Sequence, residues 1–283
     1  MNKLSYIKSD SRSYNIDRCL ALMKTEIVKK IKDAKRIVVK PDCTIAGNQL
    51  FCTHIDALRT LLSFIRPHAK GQIVLAESSI VGDTLDVFKG YGYLKLQEEY
   101  DLAFVDLNKD DFKIIELLDE NEKTWPVKVA TTLTDSDLII SIGPPKINHS
   151  LGFSGAINNI VLASLFRGSK TNKFLNFGKN NNHKQVVYKR DKTLHKNITR
   201  LSKEFRIGIS VIDGFETVLE GKTKDSEMLP THFAIVGTDP LSTDILACKR
   251  LGLDNDKIGY LQTPSNLNWN NCYVAGDDWQ KDL

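Results

Sequence analysis

Five short apolar runs in this chain end in residues able to move protons or hold anions. Lys40 and Asp42 follow residues 36–39, Glu77, Ser78 and Ser79 follow 72–76, and Lys146, Asn148 and His149 follow 137–142. Asp213 and Glu216 follow residues 207–212, and Asp239 and Asp244 follow 233–236. Lysine brings a compact positive charge, histidine titrates near neutral pH, and carboxylates orient a histidine or hold a divalent metal. The densest piece is residues 144–155, where Pro144 and Pro145 stiffen the exit from a strand and Gly152 and Gly155 permit positive φ. Backbone N–H groups ahead of a helix starting at Gly155 would form an anion cradle. Lys146 and His149 are expected to be partly exposed there, as point charge and acid/base. A plainer reading makes the same piece a rigid turn with a solvated lysine, and Asp239 an ordinary helix cap.

These groups can meet only if regular elements deliver them to one edge. Helical spacing of apolar residues predicts helices over 14–33, 55–65, 83–90, 155–165, 192–205 and 240–251. β-branched runs predict strands over 36–39, 72–76, 102–105, 137–142, 207–212 and 233–236. Strands alternating with helices imply an α/β fold with a mainly parallel sheet and helices on both faces. In such sheets ligands bind in the crevice beyond the carboxyl ends of the strands. The reading divides the chain into an N-terminal helical extension (1–35), an α/β domain (36–262) and a C-terminal tail (263–283). The polar, asparagine-rich stretch 168–184 is the expected lobe boundary or mobile lid.

Composition limits the alternatives. Hydrophobic residues make up 41% and charged residues 26%, which suits a globular chain rather than a disordered one. No apolar run approaches the ~20 residues that span a bilayer, and the N-terminus carries no signal-peptide pattern, so a cytoplasmic protein is expected. The five cysteines, Cys19, Cys43, Cys52, Cys248 and Cys272, contain no C-x-x-C pair, which speaks against a disulfide framework, a zinc ribbon or an iron–sulfur cluster. The net charge is +4, yet residues 167–206 hold twelve basic and two acidic residues, a local +10. That field attracts anions, either as a lid over a substrate or as a surface for nucleic acid. Aromatic interleaving is sparse there, so nucleic acid is not favoured.

Several pieces occur in the order of the domain of unknown function 362 family. They are Lys40-Pro41-Asp42, Ala76-Glu77-Ser78, Pro145-Lys146-Ile147-Asn148-His149, Ala156-Ile157-Asn158-Asn159, Val211-Ile212-Asp213-Gly214 and residues 237–244. The resemblance runs over residues 36–260, and His195 falls where that family tends to have a histidine. The ferredoxin-type cysteine motifs carried by many relatives are missing here, so electron transfer through clusters of its own is not expected. The family's usual lysine after the glycine turn is replaced by Asn158, and its later glycine-proline run by Glu220-Gly221-Lys222-Thr223. Gly152-Phe153-Ser154-Gly155 is similar, more distantly, to a turn of the nickel-pincer lactate racemase family. That family tethers its cofactor through a lysine where Asn158 stands, and an amide cannot make the link, so no tethered nickel pincer is expected.

The expected function is an enzyme acting on a small carboxylate or phosphate by acid–base chemistry of isomerase or lyase type. His149, Lys146 and Asp213 are the candidate catalytic residues. Lys40, Ser78, Gly152, Ser154, Gly155, Asn158 and His195 are the candidates for substrate binding, and Glu77, Asp213 and Asp239 for a divalent metal. The alternative is a non-catalytic binding or assembly protein that uses residues 167–206 on nucleic acid or an acidic partner. Hydride transfer is disfavoured because no G-x-G-x-x-G follows a strand.

Overall fold

Runs such as Ile37-Val38-Val39 and Leu138-Ile139-Ile140 are apolar on both sides, which only a strand buried on both faces can use. In the computed structural model they lie at the centre of one large sheet. The structure describes residues 2–43, 49–80, 82–119, 121–148, 151–166, 186–219, 227–262 and 272–281, with backbone alone for 50, 148 and 186–191.

The chain begins with β1 (Asn2–Lys8), α1 (Arg12–Leu22), α2 (Lys24–Asp33), β2 (Ile37–Pro41), α3 (Ile55–Ile65), β3 (Ile73–Glu77), α4 (Thr84–Gly90) and β4 (Leu102–Asp106). A hairpin of β5 (Phe112–Leu118) and β6 (Thr124–Ala130) and a single turn, α5 (Thr131–Thr134), lead into β7 (Leu138–Gly143). A small hairpin, β8 (Lys146–Asn148) and β9 (Gly152–Ser154), precedes α6 (Ala156–Ser164). Then follow α7 (Val186–Ser202), β10 (Ile207–Leu219), β11 (Glu227–Gly237), α8 (Pro240–Arg250) and β12 (Cys272–Gly276).

The sheet order is β12-β1-β11-β10-β7-β2-β3-β4, and β11 alone in this path runs against the rest. The fold is therefore α/β with a mostly parallel sheet. Alternate residues serve opposite faces. Val38, Ile139, Ile212 and Ile235 pack with apolar residues of α6 and α8. Val39, Ile140, Val211 and Val236 pack with Ile16, Leu20, Ile27, Leu58 and Leu62 of α1, α2 and α3.

Four features differ from the sequence reading. The helix expected over 14–33 is broken at Met23 into α1 and α2. Residues 1–35, expected as a helical extension, contribute β1 to the sheet between β11 and β12. Part of the expected tail, residues 272–276, is β12. β1 lacks an apolar strand pattern because it buries Ser5, whose hydroxyl donates to the Cys19 carbonyl at 2.9 Å. The turn expected over 144–155 is partly a hairpin, with β8 also paired in parallel to the far end of β10. The stretch 168–184, expected as a lobe boundary or lid, lies outside the described residues. Among the described residues, no helix is long and apolar enough to cross a membrane.

Candidate functional site at the carboxyl edge of the sheet

Lys40 stands in β2 two residues from Val38, so it faces α6 rather than solvent. Its ammonium donates to Glu77 Oε2 at 2.8 Å and also to Asn159 Oδ1, with both ion-pair side chains 2% exposed. The Glu77 carboxylate further accepts the Cys43 N–H at 2.6 Å and the Ser78 N–H at 2.7 Å. The Asn159 amide donates to the Lys40 carbonyl and to Ser141 Oγ. A buried ion pair survives only with its remaining hydrogen bonds filled, and here they are filled. The result is a clamp joining β2, β3 and α6. It corrects two expectations: Lys40 is committed to Glu77 and Asn159, and the Ser78 hydroxyl donates to the Ala163 carbonyl at 2.6 Å.

One strand further on, the geometry is more open to chemistry. Lys146 donates to Asp42 Oδ2 at 2.7 Å and lies 5.6 Å from the centre of the Phe51 ring. The lysine is 7% exposed, not the partly solvated group the sequence suggested, because β8 is tied to both β9 and β10. Lys146 is the cross-strand partner of Ser154, and paired residues place their side chains on the same face. Ser154 Oγ accepts the Asn158 amide at 2.7 Å. Asn158 Oδ1 is buried and has no hydrogen-bond partner among the described residues, and an unmet buried acceptor costs about 1–3 kcal/mol unless something fills it. Asp42, Lys146, Ser154 and Asn158 thus form one contiguous polar set at the carboxyl ends of β2 and β7.

The anion cradle expected at the start of α6 is already full. Asp244, reaching across from α8, accepts the Ala156 N–H at 2.7 Å and the Ile157 N–H at 3.0 Å. Gly155 is required for space rather than for conformation. A Cβ there would lie 2.4 Å from Asp244 Oδ1. Gly152 does have positive φ, at 77°, where the hairpin turns. Burial pushes the Asp244 carboxyl up to about 7, against the two backbone N–H donors that favour its charged form.

The three carboxylates expected to share a metal do not meet. Glu77 belongs to the Lys40 clamp. Asp239 caps α8 by accepting the Ser242 N–H at 2.8 Å. Asp213 is bound by Arg12, whose Nε is 3.0 Å away and whose other end holds Glu216 at 2.7 Å. Burial raises the Asp213 carboxyl above its usual range, and Arg12 only partly offsets this. Among the described residues no group of three or more histidine, cysteine, aspartate or glutamate side chains is placed to hold a metal.

His149 lies outside the described residues. His195 stacks on Tyr260 with ring centroids 5.7 Å apart, and the Tyr260 hydroxyl donates to the Phe153 carbonyl. The histidine therefore borders the β8–β9 hairpin through Tyr260. Burial lowers its pKa, and its Nδ1 has no hydrogen-bond partner among the described residues. Of the basic residues that remain described after 191, Lys196 pairs with Glu122 and Arg206 with Asp137, which weakens the local field.

Sequence reasoning missed Arg12, Asn159 and the role of Asp244 as partners of the expected residues. Asn159 sits beside Asn158 in the motif already singled out. Nothing in the spacing of Arg12 and Asp213, 201 positions apart, could have joined them.

The pattern of the domain of unknown function DUF362 matches residues 37–249. The chain belongs to the DUF362 family. Its fold is also similar to that of the lactate racemase apoprotein from Thermoanaerobacterium thermosaccharolyticum, with a TM-score of 0.53 and 16% sequence identity. That similarity covers 81% of this chain but 53% of the other, so this DUF362 chain spans about half the length of its structural neighbour. No curated protein matches it.

Proposed function

We propose that this DUF362 protein is an enzyme acting on a small anionic molecule at the carboxyl edge of β2 and β7. The observation that carries the reading is the unfilled Asn158 acceptor beside the buried Lys146–Asp42 pair. Lys146, held by Asp42, places an ammonium at this edge where little water competes, and a carboxylate or phosphate would have to share it with that carboxylate. Asn158 Oδ1 asks for a donor, such as a hydroxyl on the same substrate. A hydroxy acid meets both demands, and the lactate racemase neighbour supports that class. His149, directly after Asn148 in the chain, is the proposed acid/base for proton transfer at the carbon next to the carboxylate. Asn158 has no amine and gives its amide to Ser154, so the residues present do not fit a lysine-tethered nickel cofactor.

Calorimetric titration with a panel of hydroxy acids, keto acids and phosphorylated acids tests the binding. Saturable binding is expected in the native protein. Asn158→Leu should abolish it while leaving a cooperative thermal transition. Exchange of the substrate α-hydrogen in deuterated water tests the proton transfer. Unchanged affinity in a folded Asn158→Leu protein would place the site elsewhere.

A further inference from the structure

Cys43 follows the end of β2, Cys52 precedes α3, and the two face each other in an isolated antiparallel bridge. The Thr53 N–H donates to the Asp42 carbonyl at 2.7 Å, one residue outside the pair on each side. That pattern marks a non-hydrogen-bonded position, where opposed Cα atoms sit about 4.5 Å apart. A disulfide spans Cα separations of roughly 4.4–6.8 Å, so the backbone already has the required approach. The two thiols also lie close enough for each to shift the other's pKa.

We propose that Cys43 and Cys52 form a dithiol that hydrogen peroxide oxidises to an intrachain disulfide, an assignment independent of what the cleft binds. Cys43 is fully buried and Cys52 is 4% exposed, so the oxidant must be small. Cys52 is the attacking sulfur. The neighbouring Cys43 thiol holds its pKa down against the opposing effects of burial and the Asp42 charge, with help from Tyr91 and the Lys146 charge. The Cys52 sulfur in turn pushes Cys43 up, as do burial and the charges of Glu77 and Asp42, so Cys43 keeps its proton. Cys19 and Cys248, pushed up to about 12, stay protonated and unreactive by comparison.

The reaction balances without a bound cofactor. The Cys52 thiolate attacks one peroxide oxygen, an S–O bond forms, the O–O bond breaks, and hydroxide leaves to be protonated to water. Cys43 then attacks the Cys52 sulfenic sulfur. The S–S bond forms, the S–O bond breaks, and the departing oxygen takes the Cys43 proton and leaves as water. The dithiol loses two electrons and two protons, and peroxide becomes two waters.

The native protein is treated with hydrogen peroxide, quenched with an alkylating agent under denaturing conditions and digested with trypsin. Lys40 precedes Pro41, so residues 37–59 remain one peptide holding both cysteines. That peptide should lose two hydrogens and resist alkylation until dithiothreitol is added. Cys43→Ser should leave Cys52 as a sulfenic acid trapped by dimedone, whereas Cys52→Ser should trap nothing at Cys43. The proposal is overturned if residues 37–59 stay fully alkylated at a dose that oxidises the half-buried Cys272. Direct over-oxidation of Cys52 in native protein, or equal dimedone trapping at Cys43, also overturns it. The native-protein mass reading decides by itself if either variant does not fold.

Discussion

Replacing Asp244 with asparagine keeps the side chain's shape but removes a buried group that changes charge near neutral pH. Unfolded, this carboxyl titrates near 3.8; folded, burial holds it up to about 7. Below the lower value both states carry the proton, and the stability that it brings is fully present. Between the two values the folded protein keeps a proton that the unfolded chain has lost, so stability falls as the pH rises. At about 1.4 kcal/mol per pH unit, the interval comes to roughly 4 kcal/mol, lost by the time the pH passes the folded value. Asparagine cannot ionise and should remove this slope. It turns an N–H toward one of the two helix donors, which costs about 1–3 kcal/mol at acid pH. Urea unfolding of both proteins between about pH 5 and about pH 8 reads the difference. The deficit of Asp244→Asn should shrink or reverse as the pH rises. Nearby Tyr260 and Cys248 stay neutral throughout because burial raises them both. His195, lowered by burial, titrates in both proteins and cancels from the difference. Parallel curves would refute the reasoning. So would a deficit that grows with pH, because the two N–H donors would then outweigh burial.

Lys40→Met should destabilise by about 3–5 kcal/mol, leaving the Glu77 charge buried with only backbone donors. The double variant Lys40→Met, Glu77→Gln should lose less than the two single losses together, and chemical denaturation of all four proteins gives that coupling. Gly155→Ala should cost about 1–3 kcal/mol by driving Asp244 off the start of α6, and a thermal melt indistinguishable from the native one would contradict the crowding found there. Arg12→Ala should leave Asp213 buried without its cation, and adding Asp213→Asn should recover part of the lost stability.

The sequence by itself was enough for the α/β class and the mostly parallel sheet, because β2, β7 and the first half of β10 are apolar on both sides and alternate with amphipathic helices. It also located the carboxyl edge: Lys40 and Glu77 stand at the ends of neighbouring strands, and Lys146 follows the end of β7, which pairs with β2. Residue type told which groups could ionise, but not which would cancel one another. Only the tertiary structure decided that Lys40 meets Glu77, that Arg12 takes Asp213, and that Asp244 fills the helix N-terminus expected to hold a ligand. Each pairing joins residues tens to hundreds of positions apart, and a buried charge is satisfied by whatever the packing brings within hydrogen-bond reach, a quantity local spacing does not encode. The same holds for Ser5 and β1: a polar residue reads as surface until its hydroxyl finds the carbonyls of α1 and β11.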